Sequence, residues 1–347
     1  MACWTPWRAA CGGRSSRGRP AAAVAEAAPG LPGDLPGEFA LIARHFRRLA
    51  GPGALDLADD AALLDPPPGR QLVLAADAMV AGVHFLPDDP PESIGRKLLR
   101  VNLSDLAAMG AAPLGYLMTT ALPKDLPPDW LGRFVDGLAA DQAEFGLSVL
   151  GGDTVGTPGP ASLSLTILGT VAPGAALRRD GARPGDTLWV SGTVGDGALG
   201  LRVLQGRLPA DAAGHLARRY RLPEPRLALG QALGGLARAA MDVSDGLVQD
   251  LGHLCRGGGC GAVLRAGAVP LSPAARALVA TDPALLALCL TGGDDYELLF
   301  ALPPGAAPPP GHAAARIGEF LAGPPVVRVL GLDGTEMELP RGGWSHF

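Results

Sequence analysis

The chain has 347 residues, 48% apolar and 18% charged, which excludes wholesale disorder and is enough to build a buried core without disulfide or metal staples. Lys+Arg 29 against Asp+Glu 34 gives a net charge of −5, which argues against a protein held on nucleic acid by backbone charge. The five cysteines, Cys3, Cys11, Cys255, Cys260 and Cys289, contain no CxxC pair; they fit a reducing cytoplasm better than a disulfide framework and read as small buried or incidental residues.

Residues 1–36 read as an extension, disordered or produced by a mis-assigned start codon. They hold Arg8, Arg14, Arg17 and Arg19 against only Glu26 and Asp34, and they have no apolar run of signal-peptide type, although the composition superficially suits a transit peptide. From Gly37 onward Phe39, Ile42, Phe46 and Leu49 recur at helical spacing. Gln71–Ala76 reads as a strand delivering Asp77, and Pro91–Met109 as a helix with proline in its first turn. Leu114–Leu122 is a predicted strand. Trp130, Phe134 and Leu138 mark an amphipathic helix, and Leu147–Leu150 a short strand ending in Gly151-Gly152-Asp153. Ala161–Val171 alternates with period two, as a half-buried strand does, and prolines and glycines interrupt both uncharged stretches, 106–123 and 156–177; neither reads as a membrane span.

Ala172-Pro173-Gly174 and Arg183-Pro184-Gly185-Asp186 punctuate the chain. The predicted division is a unit over 37–172 and a second over 173–347, starting with a strand at Thr187–Val190 and ending with Val326–Leu330 before a hairpin turn at Gly331–Thr335. Alternating helices and strands in both imply an α/β (α+β) protein of two units. Ser104-Asp105 precedes Gly151-Gly152-Asp153 at nearly the separation at which Ser244-Asp245 precedes Gly292-Gly293-Asp294. A duplicated unit is one reading. Two independent loops is the other, favoured because the intervening patterns do not match.

Asp59-Asp60, Asp77, Asp105, Asp153, Asp242, Asp245 and Asp294-Asp295 all sit at ends of apolar runs or beside glycines. One aspartate in such a place is commonly a turn residue or helix cap. A set of them converging at strand ends would repel unless cations neutralised them, and oxygen ligands without His or Cys suit Mg²⁺ or Mn²⁺. The glycines of Gly151-Gly152-Asp153-Thr154 and Gly292-Gly293-Asp294-Asp295 would let amides approach phosphate oxygens, and Gly195-Asp196-Gly197 opens a helix as another candidate anion site. There is no GxxxxGK[ST] motif, protein-kinase signature, GxSxG elbow or zinc spacing. The only lysines are Lys97 and Lys124, neither in a glycine loop. A phosphate-handling enzyme of this composition must rely on metal ions and arginine. His84 follows the strand bearing Asp77 and reads either as a structural donor or as a residue at a pocket edge. Trp344, in the terminal Gly343–Phe347, reads as a packing anchor or as an indole face for a flat cation.

With these residues assembled, the sequence resembles the thiamine-monophosphate kinase family, within the superfamily of aminoimidazole ribonucleotide synthetase (the PurM-like fold). The matching segments are GEFALIARHF, DDAALL, DAMVAGVHFLPD, VNLSDLAAMGAAP, GGDT, RRDGARPGDTLWVSGTVGD, MDVSDGLVQDLGH, GGDDYEL and GGWSHF, in family order from about Gly37 to Phe347. The resemblance implies an N-terminal α/β dimerisation domain and a C-terminal α/β domain, with ATP and substrate between them. It implies Mg²⁺ ligands at Asp60, Asp77, Asp105, Asp153, Asp242 and Asp245, with Ala75 and Ala76 where family members carry ligating Ser/Thr, so that only backbone carbonyls remain there. Gly152, Asp153, Arg179 and Ser244 match nucleotide positions; His84, Asp294 and Trp344 match positions around the acceptor, Asp294 standing where glutamate is common. Leu57-Ala58-Asp59-Asp60 replaces the usual Gly-Ile-Gly-Asp-Asp, and a nucleotide-binding tyrosine expected near Val135 is missing.

The implied activity is Mg²⁺-dependent phosphoryl transfer from ATP to thiamine monophosphate in a cytoplasmic homodimer, with no membrane or nucleic-acid partner. Asp105, Asp153 and Asp245 are its expected catalytic residues. The acceptor oxygen is already ionised, so catalysis reduces to alignment and charge neutralisation. Two rival readings are a superfamily enzyme with another acceptor and a non-catalytic nucleotide and metal sensor.

Overall fold

The computed structural model describes residues 40–339 and 342–345. The predicted extension at 1–36 lies outside the described residues. Ile42–Phe46 forms a π-helical turn and Arg47–Leu49 a 3-10 turn, which together bury Phe46 and Leu49. The first sheet contains β1 (Gln71–Val80), β2 (Ala112–Pro123), β3 (Val149–Thr157) and β4 (Ser162–Val171) in the order β1-β4-β2-β3. β2 and β3 are parallel and the other pairs antiparallel. The alternation read in β4 is realised: Leu163, Leu165 and Ile167 are buried, while Ser162, Ser164 and Thr166 are half-buried on the other face.

Two helices cover the inner face of this sheet. α1 spans Pro91–Ala108 and α2 Trp130–Phe145. Pro91 sits in the first turn of α1, where its missing N–H costs nothing. α2 stops at Gly146 (φ 71°), the left-handed conformation that glycine adopts without penalty. α1 is buried on nearly all sides, because it packs on the first sheet and also meets β6 (Ala239–Asp242) of the second half. Its polar residues Lys97, Arg100, Asn102 and Ser104 are therefore buried as well, and buried polar groups need partners. Those partners build the site.

The chain leaves β4 at Val171 and enters β5 (Thr187–Ser191) after an irregular crossing. The second sheet has the order β10-β7-β9-β5-β8-β6, with β7 at Gly261–Arg265, β8 at Leu298–Leu302, β9 at Ala314–Leu321 and β10 at Val327–Leu330. The helices of this half are α3 (Asp196–Leu204), α4 (His215–Arg221), α5 (Leu227–Ala232), α6 (Leu247–Gly258), α7 (Pro273–Thr281) and α8 (Leu285–Thr291). The predicted turn after β10 is present: Gly331 N–H donates to the Thr335 carbonyl. Cys255, Cys260 and Cys289 are buried free thiols, as expected of small core residues. Among the described residues, no helix is long and apolar enough to cross a membrane.

Three readings need correction. Asp77 is not at the end of its strand but inside β1, opposite Leu165. Gly151-Gly152-Asp153-Thr154 is not a loop but part of β3. Its glycine is needed for close packing, since a Cβ on Gly152 would run into the Met118 carbonyl oxygen of β2. The helix start at Gly195-Asp196-Gly197 is no open anion site, because the Asp295 carboxylate already accepts from Gly195 N–H (2.7 Å) and Gly197 N–H (3.0 Å).

Candidate active site

Four segments bring carboxylates together where α1 meets β6. β1 carries Asp77, α1 carries Ser104 and Asp105, β6 ends on Asp242, and the loop that follows holds Ser244 and Asp245 before α6. Ser104 Oγ donates to Asp242 Oδ2 at 2.8 Å, a buried bond that ties the two halves at the centre of the site. Asn102 uses both ends of its amide. Oδ1 accepts from Asp77 N–H (3.1 Å) and Nδ2 donates to the Leu98 carbonyl (2.8 Å). A fifth carboxylate, Asp250 of α6, accepts from the N–H groups of Asp245 and Gly246 at 3.1 Å and so shapes the Asp245 loop.

These groups repel one another. Burial, then Asp242 and Asp245, pushes Asp77 up to about 6. Burial, then Asp242 and Asp77, pushes Asp105 up to about 8, against the pull of Arg179. Asp250 is likewise raised to about 8 by burial, Asp242 and Asp245, and burial raises the wholly enclosed Asp242. Carboxyls that hold protons this high have too little positive charge near them. Among the described residues, no three His, Cys, Asp or Glu side chains form a ready-made metal-holding group. The carboxylates are near enough to shift each other, yet too spread to chelate a cation by themselves. Ala75 and Ala76, just before Asp77, carry no side-chain oxygen and stand opposite Ile167 and Thr166 in the β1–β4 ladder. Arg179 faces Asp105 across a groove of about 460 Å³ that Ala75 also lines.

Asp60 and Asp153 lie elsewhere. With Asp59 and Gly152 they line a pocket of about 470 Å³ whose apolar wall includes Ile42, Phe46, Leu57 and Met118. Both carboxylates are exposed. The loop leading to Asp60 has three consecutive non-glycine residues in the left-handed region, Leu55 (φ 52°), Asp56 (φ 59°) and Leu57 (φ 55°). This conformation is costly for leucine and is held only where the surroundings impose it.

A third group surrounds Asp294. Asp294 N–H donates to the Ser244 carbonyl (2.9 Å) and Tyr296 N–H to the Val243 carbonyl (2.8 Å), so the segment after α8 runs along the Asp245 loop. Gly293 is needed there, since a Cβ would strike the Ser244 carbonyl. Its role is close approach of two backbones and not a phosphate cradle. The segment is strained, with Asp294 (φ 69°) and Tyr296 (φ 53°) left-handed. It is anchored by Asp295 on the Gly195 and Gly197 amides and by Glu297, fully buried between Arg219 (3.0 Å) and Arg226 (2.6 Å). Lys97 Nζ, from α1, lies 3.4 Å from Asp294 Oδ1 and donates to the His84 carbonyl at 2.9 Å. His84 itself closes the turn after β1, its Nδ1 accepting from Val80 N–H at 3.0 Å.

Trp344 comes in from the C-terminal segment to the start of α6. Its N–H donates to the Asp245 carbonyl (2.9 Å), and its carbonyl accepts from Gln249 Nε2 (2.6 Å). Main-chain bonds hold it there while the residue stays 45% exposed, so a purely packing anchor is the poorer description.

The structure thus joins Asp77, Asp105, Asp242 and Asp245, links His84 to Asp294 through Lys97, and sets Trp344 beside Asp245. It keeps Asp60, Gly152 and Asp153 in a separate pocket. Sequence reasoning missed Asp250, Asn102, Lys97 and Tyr296. The one available signal was on α1, where Lys97 and Asn102 stand among the apolar Leu98, Leu99, Val101 and Leu103.

With the geometry established, comparison with known proteins is decisive. Residues 58–171 match the model of the AIR synthase related protein N-terminal domain, and residues 183–327 that of its C-terminal domain. The thiamine-monophosphate kinase of Caulobacter vibrioides is 45% identical over 323 residues, covering 90% of this chain and 91% of that protein. The chain belongs to the thiamine-monophosphate kinase family. Among solved structures, the family member from Stenotrophomonas maltophilia is 41% identical with a TM-score of 0.73, covering 81% of this chain and 91% of that one. AaThiL complexed with AMPPCP and TMP is 32% identical with a TM-score of 0.74, covering 83% and 91%. The two-sheet α/β architecture is therefore that of the family.

Proposed function

We propose that the protein transfers the γ-phosphoryl group of ATP to thiamine monophosphate, giving thiamine diphosphate and ADP. The observation that carries this reading is the carboxylate cluster of Asp77, Asp105, Asp242 and Asp245 in a chain 45% identical, over most of its length, to a thiamine-monophosphate kinase. The complex of a 32% identical relative with an ATP analogue and TMP supports both substrates.

The cluster's chemistry suits Mg²⁺. All the donors are hard oxygens, their mutual repulsion calls for a cation, and their spacing leaves coordination positions for phosphate oxygens, which Mg²⁺ commonly accepts beside one or two carboxylates. Asp77, Asp105, Asp242 and Asp245 would hold such ions, with Asp60 and Asp153 doing so at the neighbouring pocket and Ala75 and Ala76 restricted to their carbonyls. When bound, Mg²⁺ neutralises the charge of the transferring phosphoryl group. Arg179, beside Asp105, and Ser244 would orient the nucleotide phosphates. The pocket walled by Ile42, Phe46, Leu57 and Met118, with Gly152 and Asp153 at its polar side, suits the nucleoside. His84, Asp294 and Trp344 would orient the acceptor, the Asp294 carboxylate and the indole face both suiting a cationic thiazolium. No side chain needs to take a proton, because the attacking phosphate oxygen is ionised at neutral pH; Asp105, Asp153 and Asp245 act by position and charge.

The two units 37–172 and 173–347 form this site together, as Ser104 and Asp242 do. We also read the protein as a homodimer. The outer face of the first sheet exposes Leu72, Leu74, Leu117 and Val155, with Ser164 and Thr166 beside them and Asp153 at its β3 edge, and a largely apolar face of this kind suits a second copy. The test is a coupled ADP-release assay with ATP, Mg²⁺ and a panel of acceptors. Thiamine monophosphate should yield ADP and thiamine diphosphate in equal amounts, and no turnover with it would overturn the reading.

A further inference from the structure

Lys97 is one of two lysines in the chain and is only 2% exposed. A buried ammonium is costly unless its donors are met. Here they are met by three segments distant in sequence. Nζ donates to the His84 carbonyl at 2.9 Å, lies 3.4 Å from Asp294 Oδ1, and sits 3.7 Å from the ring centroid of Tyr220 on α4. The Tyr220 hydroxyl donates in turn to the same His84 carbonyl at 3.3 Å. Tyr296, whose hydroxyl donates to Asp294 Oδ1 at 3.4 Å, completes the surround. Both side-chain contacts of Asp294 fall on Oδ1, which leaves Oδ2 for a bound group.

We propose that Lys97 is a positioning residue for the acceptor substrate: one buried ammonium fixes the Asp294 carboxylate and the His84 turn relative to each other. It rests on the kinase reading above, in which His84 and Asp294 face thiamine monophosphate. Lys97 itself is too enclosed to reach a ligand. Its action is to hold a left-handed, strained carboxylate-bearing residue and a turn from the other half in one geometry, so that the site is pre-formed before the acceptor arrives. It also offsets the Asp294 charge that the acceptor phosphate would otherwise face.

The test measures the Michaelis constants for both substrates in the full-length protein, for the parent, Lys97→Met, Asp294→Asn and the double variant. The expected result is an acceptor KM raised about tenfold in Lys97→Met, with KM for ATP changed less than twofold and the double variant no worse than about the poorer single one, as for two residues acting as a unit. Equal rises in both constants, or fully additive effects, would overturn the inference while leaving the kinase reading intact. No turnover by the parent protein would overturn the kinase reading itself and this inference with it. Should Lys97→Met fail to fold, Lys97→Arg decides. It keeps the charge but rearranges the donors, and must still raise the acceptor KM at least about threefold with ATP unaffected; unchanged constants refute the positioning role.

Discussion

The two acidic regions of this protein differ in how their charge is held. Asp77, Asp105 and Asp242 are set in place by Ser104, Asn102 and the ends of α1 and β6, with their pKa values raised by burial and by one another. Asp60 and Asp153 are exposed at a pocket rim, on a strained loop and on a strand edge. Both regions hold carboxylates beside glycines or apolar runs, and in sequence they look alike. The comparison teaches that pre-organisation is a tertiary property. The first region has stored repulsion that a cation can relieve; the second has little to relieve and contributes only what its ligand brings.

That contrast is broken most directly by neutralising one carboxylate in each region. Asp105→Asn should lower kcat by roughly 10²–10³, the scale seen when a preorganised charge-stabilising group is lost. It should also raise the melting temperature of the metal-free protein, because it removes a repelling charge from a buried cluster. Asp153→Asn, being exposed, should leave the metal-free melting temperature unchanged and chiefly raise KM for ATP. Paired melting curves and steady-state kinetics decide. If Asp105→Asn retains more than half of the parent activity at saturating Mg²⁺, the residue has no place in the site.

Much of the fold was legible in the sequence. The alternation of Ser162–Val171, the first-turn proline of α1 and the punctuation at Ala172–Asp186 each signal a local preference that the tertiary structure leaves intact. The misplaced pieces were glycine-aspartate motifs. Gly151-Gly152 looks like a turn by propensity, but it lies within a strand because β2 approaches β3 too closely for a side chain at Gly152. The aspartates were legible as a set, yet not as two sets, since division depends on which face of which element packs against the other half. Asp250 stayed hidden because its carboxylate caps a loop five residues upstream, an ordinary role by sequence. Lys97 and Tyr220 become neighbours only when α1 meets α4.

A smaller effect sharpens the picture at the acceptor side. Trp344→Ala should raise KM for thiamine monophosphate much more than KM for ATP, by a few-fold to roughly thirty-fold, the range of a cation–π contact of about 0.5–2 kcal/mol. The main-chain bonds to Asp245 and Gln249 survive the substitution, so the melting temperature should hold. A fall in stability with both constants alike would show that the indole merely packs the C-terminal segment.

The smallest effect concerns pH. Asp77, Asp105 and Asp250 have folded-state pKa values of about 6, 8 and 8, above the ordinary carboxylate value near 4. The folded protein then binds more protons than the unfolded chain between about pH 4 and 8, and its stability falls as pH rises through that window. In a chelator the melting temperature should therefore be higher at pH 6 than at pH 8, by an amount on the order of 2–4 °C for each kcal/mol of difference. Mg²⁺ should reduce or reverse the difference, because cations replace the protons and bind more tightly as pH rises. Thermal scans at the two pH values, with chelator and with saturating Mg²⁺, test it. A pH profile that Mg²⁺ leaves unchanged would mean that the buried carboxylates are structural acids, and the contrast between the two regions would then be one of burial alone.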